Sequence, residues 1–173
     1  NIYLIGGTMG MGKTSTCQIL KNKLPSSVFL DGDWCWNMNP FIVTEETKRM
    51  VIDNICFLLN NYIKCSVYEN IIFCWVMHEQ SIIDTLLSRL NSGHALIHNI
   101  SMICSPEALE DRLNKDIVAG IRTPKIRSRS LKKLPLYQTL NTRKIDVTNL
   151  TPEEVVASIL CNNKYHKIKS IVI

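Results

Sequence analysis

Nothing in this sequence approaches the roughly 18 consecutive apolar residues that a membrane-spanning helix requires, so no membrane partner is expected. Paired cysteines are missing too. The seven cysteines (17, 35, 56, 65, 74, 104 and 161) are scattered, odd in number and never spaced Cys-x-x-Cys. That argues against a disulfide framework or zinc site and for a reducing, cytoplasmic setting. No repeat, low-complexity tract or linker-like composition shift divides the chain, so its 173 residues read as one domain, 1–173, long enough to bury a real core. With 46% hydrophobic and 20% charged residues, the composition is that of a soluble globular protein. Glycine is scarce, seven residues in all, yet four of them fall between positions 6 and 12.

That cluster carries the strongest motif. Gly7, four further residues and then Gly12-Lys13-Thr14 fit G-x-x-x-x-G-K-[ST], the P-loop pattern. An apolar, strand-like run (Ile2–Ile5) precedes it, and a helical run from Lys13 follows. Glycines let successive backbone N–H groups turn inward around a phosphate, and the start of a helix adds its positive end. The loop Gly7, Thr8, Met9, Gly10, Met11, Gly12, Lys13 and Thr14, with Ser15 behind it, is the expected nucleotide-phosphate site. Lys13 would reach the β- and γ-phosphates, and the Thr14 hydroxyl would ligate Mg²⁺.

Strand-like and helix-like segments alternate along the chain, the signature of βαβ units and a parallel sheet. Strands are expected at Ile2–Ile5, Ser27–Leu30, Asn70–Val76, Leu96–Ile103 and Arg143–Val147. Helices are expected at Lys13–Leu24, Glu45–Lys64, Gln80–Leu90, Pro106–Asp116 and Pro152–Leu160. Ser105-Pro106-Glu107 has the chemistry of a helix start, and Thr151-Pro-Glu-Glu154 completes a capping box. The fold class is therefore α/β, a three-layer α/β/α sandwich around a five-stranded parallel sheet. The tail 162–173 reads as an extra strand or an arm.

The second strand ends in Asp31-Gly32-Asp33. Ligands of parallel α/β sheets bind beyond the carboxyl ends of the strands, and residues i and i+2 of an extended chain share a face. One carboxylate can hold Mg²⁺ through water while the other takes a proton from an attacking hydroxyl; the alternative is a plain Asp-Gly turn. Asp31 is the candidate for the metal and Asp33 for the base. Trp34 and Trp36 follow, either as ligand contacts or as core. His78, Glu79 and Gln80, after the third strand, either touch the acceptor or merely open the next helix. Residues 117–135 gather Arg122, Lys125, Arg127, Arg129, Lys132 and Lys133. This basic segment can be a solvated face, a nucleic-acid patch, or a helical lid that brings arginines onto a triphosphate. Only Tyr137 lies nearby to stack on bases, which disfavours nucleic acid as a partner.

Together these residues make the chain resemble the small P-loop kinases: adenylate, shikimate, gluconate and adenylylsulfate kinases and the antibiotic phosphotransferases related to them. The resemblance runs from Ile2 to about Leu160. It rests on Gly7–Thr14, on Phe29–Asp33 ("FLDGD", similar to the LDGD of adenylylsulfate kinases), on Ile103–Leu113 and on Lys144–Ile159. It implies ATP and Mg²⁺ as cofactors. It also implies Arg112 stacked on adenine, and the loop Val147–Thr151, including Asn149, closing over the base. Phosphate-contacting lid arginines would be Arg122, Arg127 or Arg129, with Arg129 and Arg127 taken as catalytic beside Lys13 and Asp33. The chain lacks the D-G-[FY]-P-R of nucleoside monophosphate kinases and the glycine cluster of shikimate kinases, and Trp36 stands where adenylylsulfate kinases carry arginine. It is most similar to nucleotide-kinase-like proteins and the tunicamycin- and chloramphenicol-resistance branch.

The expected function is transfer of the γ-phosphate of ATP to a small-molecule acceptor by a monomer or homodimer. The alternatives are a nucleotide-binding switch, which the lack of N-K-x-D disfavours for guanine, and a nucleic-acid-binding ATPase.

Overall fold

The computed structural model describes residues 1–161, and the expected strand or arm at 162–173 lies outside them. Five strands alternate with six helices: β1 (Ile2–Gly6), α1 (Lys13–Lys23), β2 (Ser27–Asp31), α2 (Glu45–Lys64), β3 (Asn70–Trp75), α3 (Gln80–Arg89), β4 (Ile97–Ile103), α4 (Pro106–Val118), α5 (Lys125–Lys133), β5 (Arg143–Asp146) and α6 (Pro152–Cys161). Short 3₁₀ helices follow β2 (Gly32–Trp36) and α5 (Leu134–Thr139). All strand pairs are parallel, in the order β2-β3-β1-β4-β5. Among the described residues, no helix is long and apolar enough to cross a membrane.

The central strand shows why the sheet is covered on both faces. Every residue of β1 is buried, and alternate side chains enter different cores. Tyr3 and Ile5 pack on one face with Leu20 of α1, Leu109 and Leu113 of α4, and Val155, Val156 and Ile159 of α6. Ile2 and Leu4 pack on the other with Val51, Ile55 and Leu59 of α2, and Ile83 and Leu86 of α3. The result is the expected three-layer sandwich.

Local chemistry sets the helix starts. Ser105 Oγ accepts from the Ala108 N–H at 3.2 Å and caps α4. Thr151 and Glu154 form the reciprocal capping box at α6, at 2.8 and 3.3 Å. Helix α2 has a cap of its own, in which Thr44 Oγ1 accepts from the Thr47 N–H at 3.2 Å and Thr47 Oγ1 accepts from the Thr44 N–H at 2.8 Å.

The basic segment 117–135 is helical over α5, which is anchored through its C-terminal half. The Thr8 hydroxyl of the glycine loop donates to the Ser130 carbonyl at 3.2 Å, with both residues fully buried. Lys133 Nζ lies 2.9 Å from His78 Nε2. The Tyr137 hydroxyl, buried just beyond α5, donates to the Val76 carbonyl.

Candidate active site

The β1–α1 loop follows its glycines. Gly10 and Gly12 have φ of +86° and +81°, the left-handed region that side chains rarely adopt. At Gly12 a Cβ would meet nothing within 4 Å, so the backbone at the head of α1 faces open space. Lys13 Nζ reaches back to the Thr8 carbonyl at 3.1 Å. Burial pulls its pKa down, opposed by nearby thiol and carboxylate groups including Asp33 and Asp31.

Beside the loop, the Thr14 hydroxyl donates to Asp31 Oδ2 at 2.7 Å. Asp31 ends β2 and is buried. Its second oxygen accepts the Asp33 N–H at 3.1 Å, which starts the 3₁₀ helix. The two carboxylates are therefore brought together by a tight turn rather than by the i, i+2 spacing of a strand, because the backbone leaves the sheet at Asp31. Turn and acid pair are the same object. Asp33 sits at the solvent-open mouth; partial burial and the neighbouring Asp31 raise its pKa, against Lys13 and a hydrogen bond from the Trp75 side chain.

These groups share one cleft of about 410 Å³ with Met9–Thr16. Helix α4 supplies the opposite wall through Arg112, Lys115 and Asp116. Their i, i+3, i+4 spacing puts them on one helical face. Arg112 Nη2 donates to the Val147 carbonyl and, at 3.1 Å, to the Thr148 carbonyl, which ties α4 to the loop after β5. Arg122 Nε donates to Asp116 Oδ2 at 2.9 Å, and both line the cleft.

Placement of the expected residues is uneven. Met9 to Ser15, Asp31, Asp33 and Arg112 all line the cleft. Gly7 and Thr8 are buried beneath the loop. Asn149 is exposed and does not line the cleft, although its neighbours Val147 and Leu150 do. Arg127 and Arg129 are exposed and likewise outside the lining; Arg127 is hydrogen-bonded to Asn114. The reason is the seating of α5, whose buried residue Ser130 meets the glycine loop while its long basic side chains point elsewhere. Lys115, Asp116 and Trp75 are not singled out by the sequence patterns. Helical spacing from Arg112 could find the first two, and the position of Trp75 at the carboxyl end of β3 could find the third.

The hard oxygen donors at Thr14, Asp31 and Asp33 are of the type Mg²⁺ takes, and the open backbone at Gly12 suits a phosphate chain.

Comparison with known proteins agrees with this architecture. A model described as "AAA domain" matches residues 4–128. No curated protein matches the sequence. The tunicamycin resistance protein of Deinococcus radiodurans is 17% identical, with a TM-score of 0.65 over 94% of this chain and 94% of that one. A gluconokinase from Sinorhizobium meliloti 1021 is 17% identical, TM-score 0.66, over 96% and 97% of the two chains. Shikimate kinase from Aquifex aeolicus vf5 is 16% identical, TM-score 0.60, over 97% and 99%. At such identities the likeness is one of fold. With a P-loop at the carboxyl end of its central strand and a family model covering well over half its length, the chain belongs to the AAA domain family and has the fold of the small P-loop kinases.

Proposed function

We propose that the protein is an ATP-dependent phosphotransferase acting on a hydroxyl of a small molecule. The carrying observation is the junction of Thr14 with Asp31 at 2.7 Å, with Asp33 on the next turn of chain, at the head of a glycine loop. A carboxylate at the mouth can take a proton from an acceptor hydroxyl as well as from water, and the likeness of the fold to a gluconokinase and a shikimate kinase favours the hydroxyl.

In this reading the loop amides and Lys13 hold the β- and γ-phosphates, and Thr14 and Asp31 hold Mg²⁺ directly or through water. The bound ion supplies charge neutralisation of the triphosphate. Arg112 and the Val147–Thr148 backbone flank the base. Asp33 orients the acceptor hydroxyl and takes its proton. The hydroxyl oxygen bonds to the γ-phosphorus, the bond from that phosphorus to the β–γ bridging oxygen breaks, and the electron pair leaves with ADP. Arg122, inside the cleft and fixed by Asp116, is placed to meet charge on the transferring group, so it takes precedence over Arg127 and Arg129 for that role.

The exposed cations of α5 are what a nucleic-acid-binding ATPase would use, and one experiment separates the readings. ADP release is measured with ATP-Mg²⁺ alone, with a panel of alcohols, sugars and antibiotics, and with single-stranded oligonucleotides. The kinase reading expects turnover stimulated by a small alcohol and abolished in Lys13→Ala. Stimulation by oligonucleotide alone would establish the other.

A further inference from the structure

Next to the proposed base lies an aromatic wall that the nucleotide does not use. Three-fold winding stacks positions i and i+3 of a 3₁₀ helix, so Trp36 lies on the same face as Asp33. Trp75, whose side chain lies close enough to Asp33 to influence its carboxyl, is 6.3 Å from Trp36 between ring centroids, and Phe41 is 5.7 Å from Trp36. The Trp36 indole Nε1 is buried without a partner among the described residues. Phe41, Ile42 and Val43 are 61%, 49% and 51% exposed along the lip leading to α2. So much uncovered apolar surface beside a polar reaction centre marks a binding site.

The far end of this wall is cationic. Trp75 and His78 are three positions apart, about 10 Å of chain at most. There Lys133 rests on His78, with Arg129 near enough to depress the Lys133 pKa after burial has done so. Arg129 and Lys133 are an i, i+4 like-charge pair on α5, an arrangement that is destabilising by itself. Neither has a carboxylate within ion-pair distance among the described residues, where the ion pairs run from Glu45–Lys48 to Asp116–Arg122. One acid, Glu79, approaches; it lies 3.3 Å from His78 and also influences Lys48 at the start of α2. Base, aromatic surface and surplus positive charge thus lie within a short span at the carboxyl ends of β2 and β3.

We infer that the acceptor is a planar aromatic alcohol carrying an anionic group. Its ring lies on Trp36, Trp75 and Phe41, its hydroxyl meets Asp33, and its carboxylate or phosphate meets Arg129 and Lys133. The inference rests on the kinase reading for what happens to the hydroxyl, but binding can be measured without it. All three tryptophans of the chain, Trp34, Trp36 and Trp75, belong to this region, so intrinsic fluorescence reports occupancy in the absence of ATP.

The test titrates tryptophan fluorescence of the full chain with 4-(hydroxymethyl)benzoate and 4-(hydroxymethyl)phenyl phosphate. Benzyl alcohol (ring, no charge) and gluconate (charge, no ring) serve as controls. The ring-bearing anions should bind at least about tenfold more tightly than either control. Arg129→Gln with Lys133→Gln should remove that advantage while the thermal shift given by ATP-Mg²⁺ persists. In Trp36→Phe, which keeps a ring on the wall, the anions should still saturate the signal. Gluconate binding as tightly as the ring anions, no saturable change with either of them, or an unaltered Kd in the double variant would overturn the inference. Saturable binding of ring anions with no ADP released from ATP-Mg²⁺ would keep the site and remove the kinase reading.

Discussion

Gly32 offers a sharp test of how the acid pair is held. Its φ lies outside the left-handed region, so the residue is not there for backbone freedom. It is there for room: a Cβ at position 32 would lie 2.6, 2.7 and 2.9 Å from Cγ, Cδ1 and Cβ of Trp75. Neighbouring atoms at those separations must move, and the obstacle is the root of an indole rather than a flexible tip. Gly32→Ala should therefore cost about 1–3 kcal/mol, the usual range for one methyl too many in a packed site. For a domain of this size that lowers Tm by about 2–4 °C per kcal/mol. Since the Trp75 side chain also bears on the Asp33 carboxyl, turnover should fall as well. Calorimetric unfolding of Gly32→Ala, Trp75→Ala and the double variant forms a cycle. Trp75→Ala removes Cγ and Cδ1, the two closest obstacles, so the alanine at position 32 should cost much less once it is in place. An equal penalty with and without the indole, or none in either case, refutes the packing argument.

Four further expectations follow from the same geometry. ATP-Mg²⁺ at about 100 times its Kd should stabilise the chain by roughly 2.7 kcal/mol, and Lys13→Ala should remove most of that; an unmoved melting curve for the parent protein defeats the nucleotide assignment. Asp33→Asn should lower kcat by about 10²–10⁴ with ATP affinity nearly intact, whereas Asp31→Asn should raise the Mg²⁺ requirement, and near-normal turnover in Asp33→Asn returns the pair to a structural turn. Arg112→Ala should weaken nucleotide binding more than it slows turnover, read as KM for ATP against kcat; the reverse split places Arg112 on the transferring phosphate. Burial and then Lys133 hold the His78 pKa below its ordinary value of about 6.5, so the unfolded chain binds the proton first as pH falls. Stability should therefore decline from about pH 6.5 downward, and His78→Gln should flatten that slope in a Tm-versus-pH series.

How much of this is legible in the sequence depends on the range of the cause. The β1–loop–α1 unit can be read because apolar run, glycines and helix start lie within adjacent residues. The caps of α4 and α6 can be read because hydroxyl and partner sit three positions apart. Asp31 and Asp33 stand out for a reason that holds only in part: both line the cleft beyond the strand ends, but the extended spacing gives way to an Asx-capped 3₁₀ turn. The basic segment shows the limit. Counting its charges cannot say that Ser130 docks on Thr8 and turns Arg127 and Arg129 away from the cleft, because that depends on a contact spanning 122 residues. Trp75 is hidden in a run that reads as pure strand, where only its place at the end, over Gly32, gives it a role.

The bond from Thr8 to Ser130 also decides which part of the basic segment is free to swing. Breaking it leaves the buried Thr8 hydroxyl unmet, at about 1–3 kcal/mol, while the Ser130 carbonyl keeps the Leu134 N–H. Helix α5 is therefore clamped to the floor of the phosphate loop, and it travels with that floor rather than over it. The stretch between α4 and α5, where Gly120 turns at φ +70° and a Cβ would meet nothing within 4 Å, is held more lightly, by the partly exposed pair of Arg122 with Asp116 at 2.9 Å. Were Arg122 to reach a triphosphate, it would exchange Asp116 for phosphate about the turn near residue 120, with the helix behind it serving as its fixed mounting.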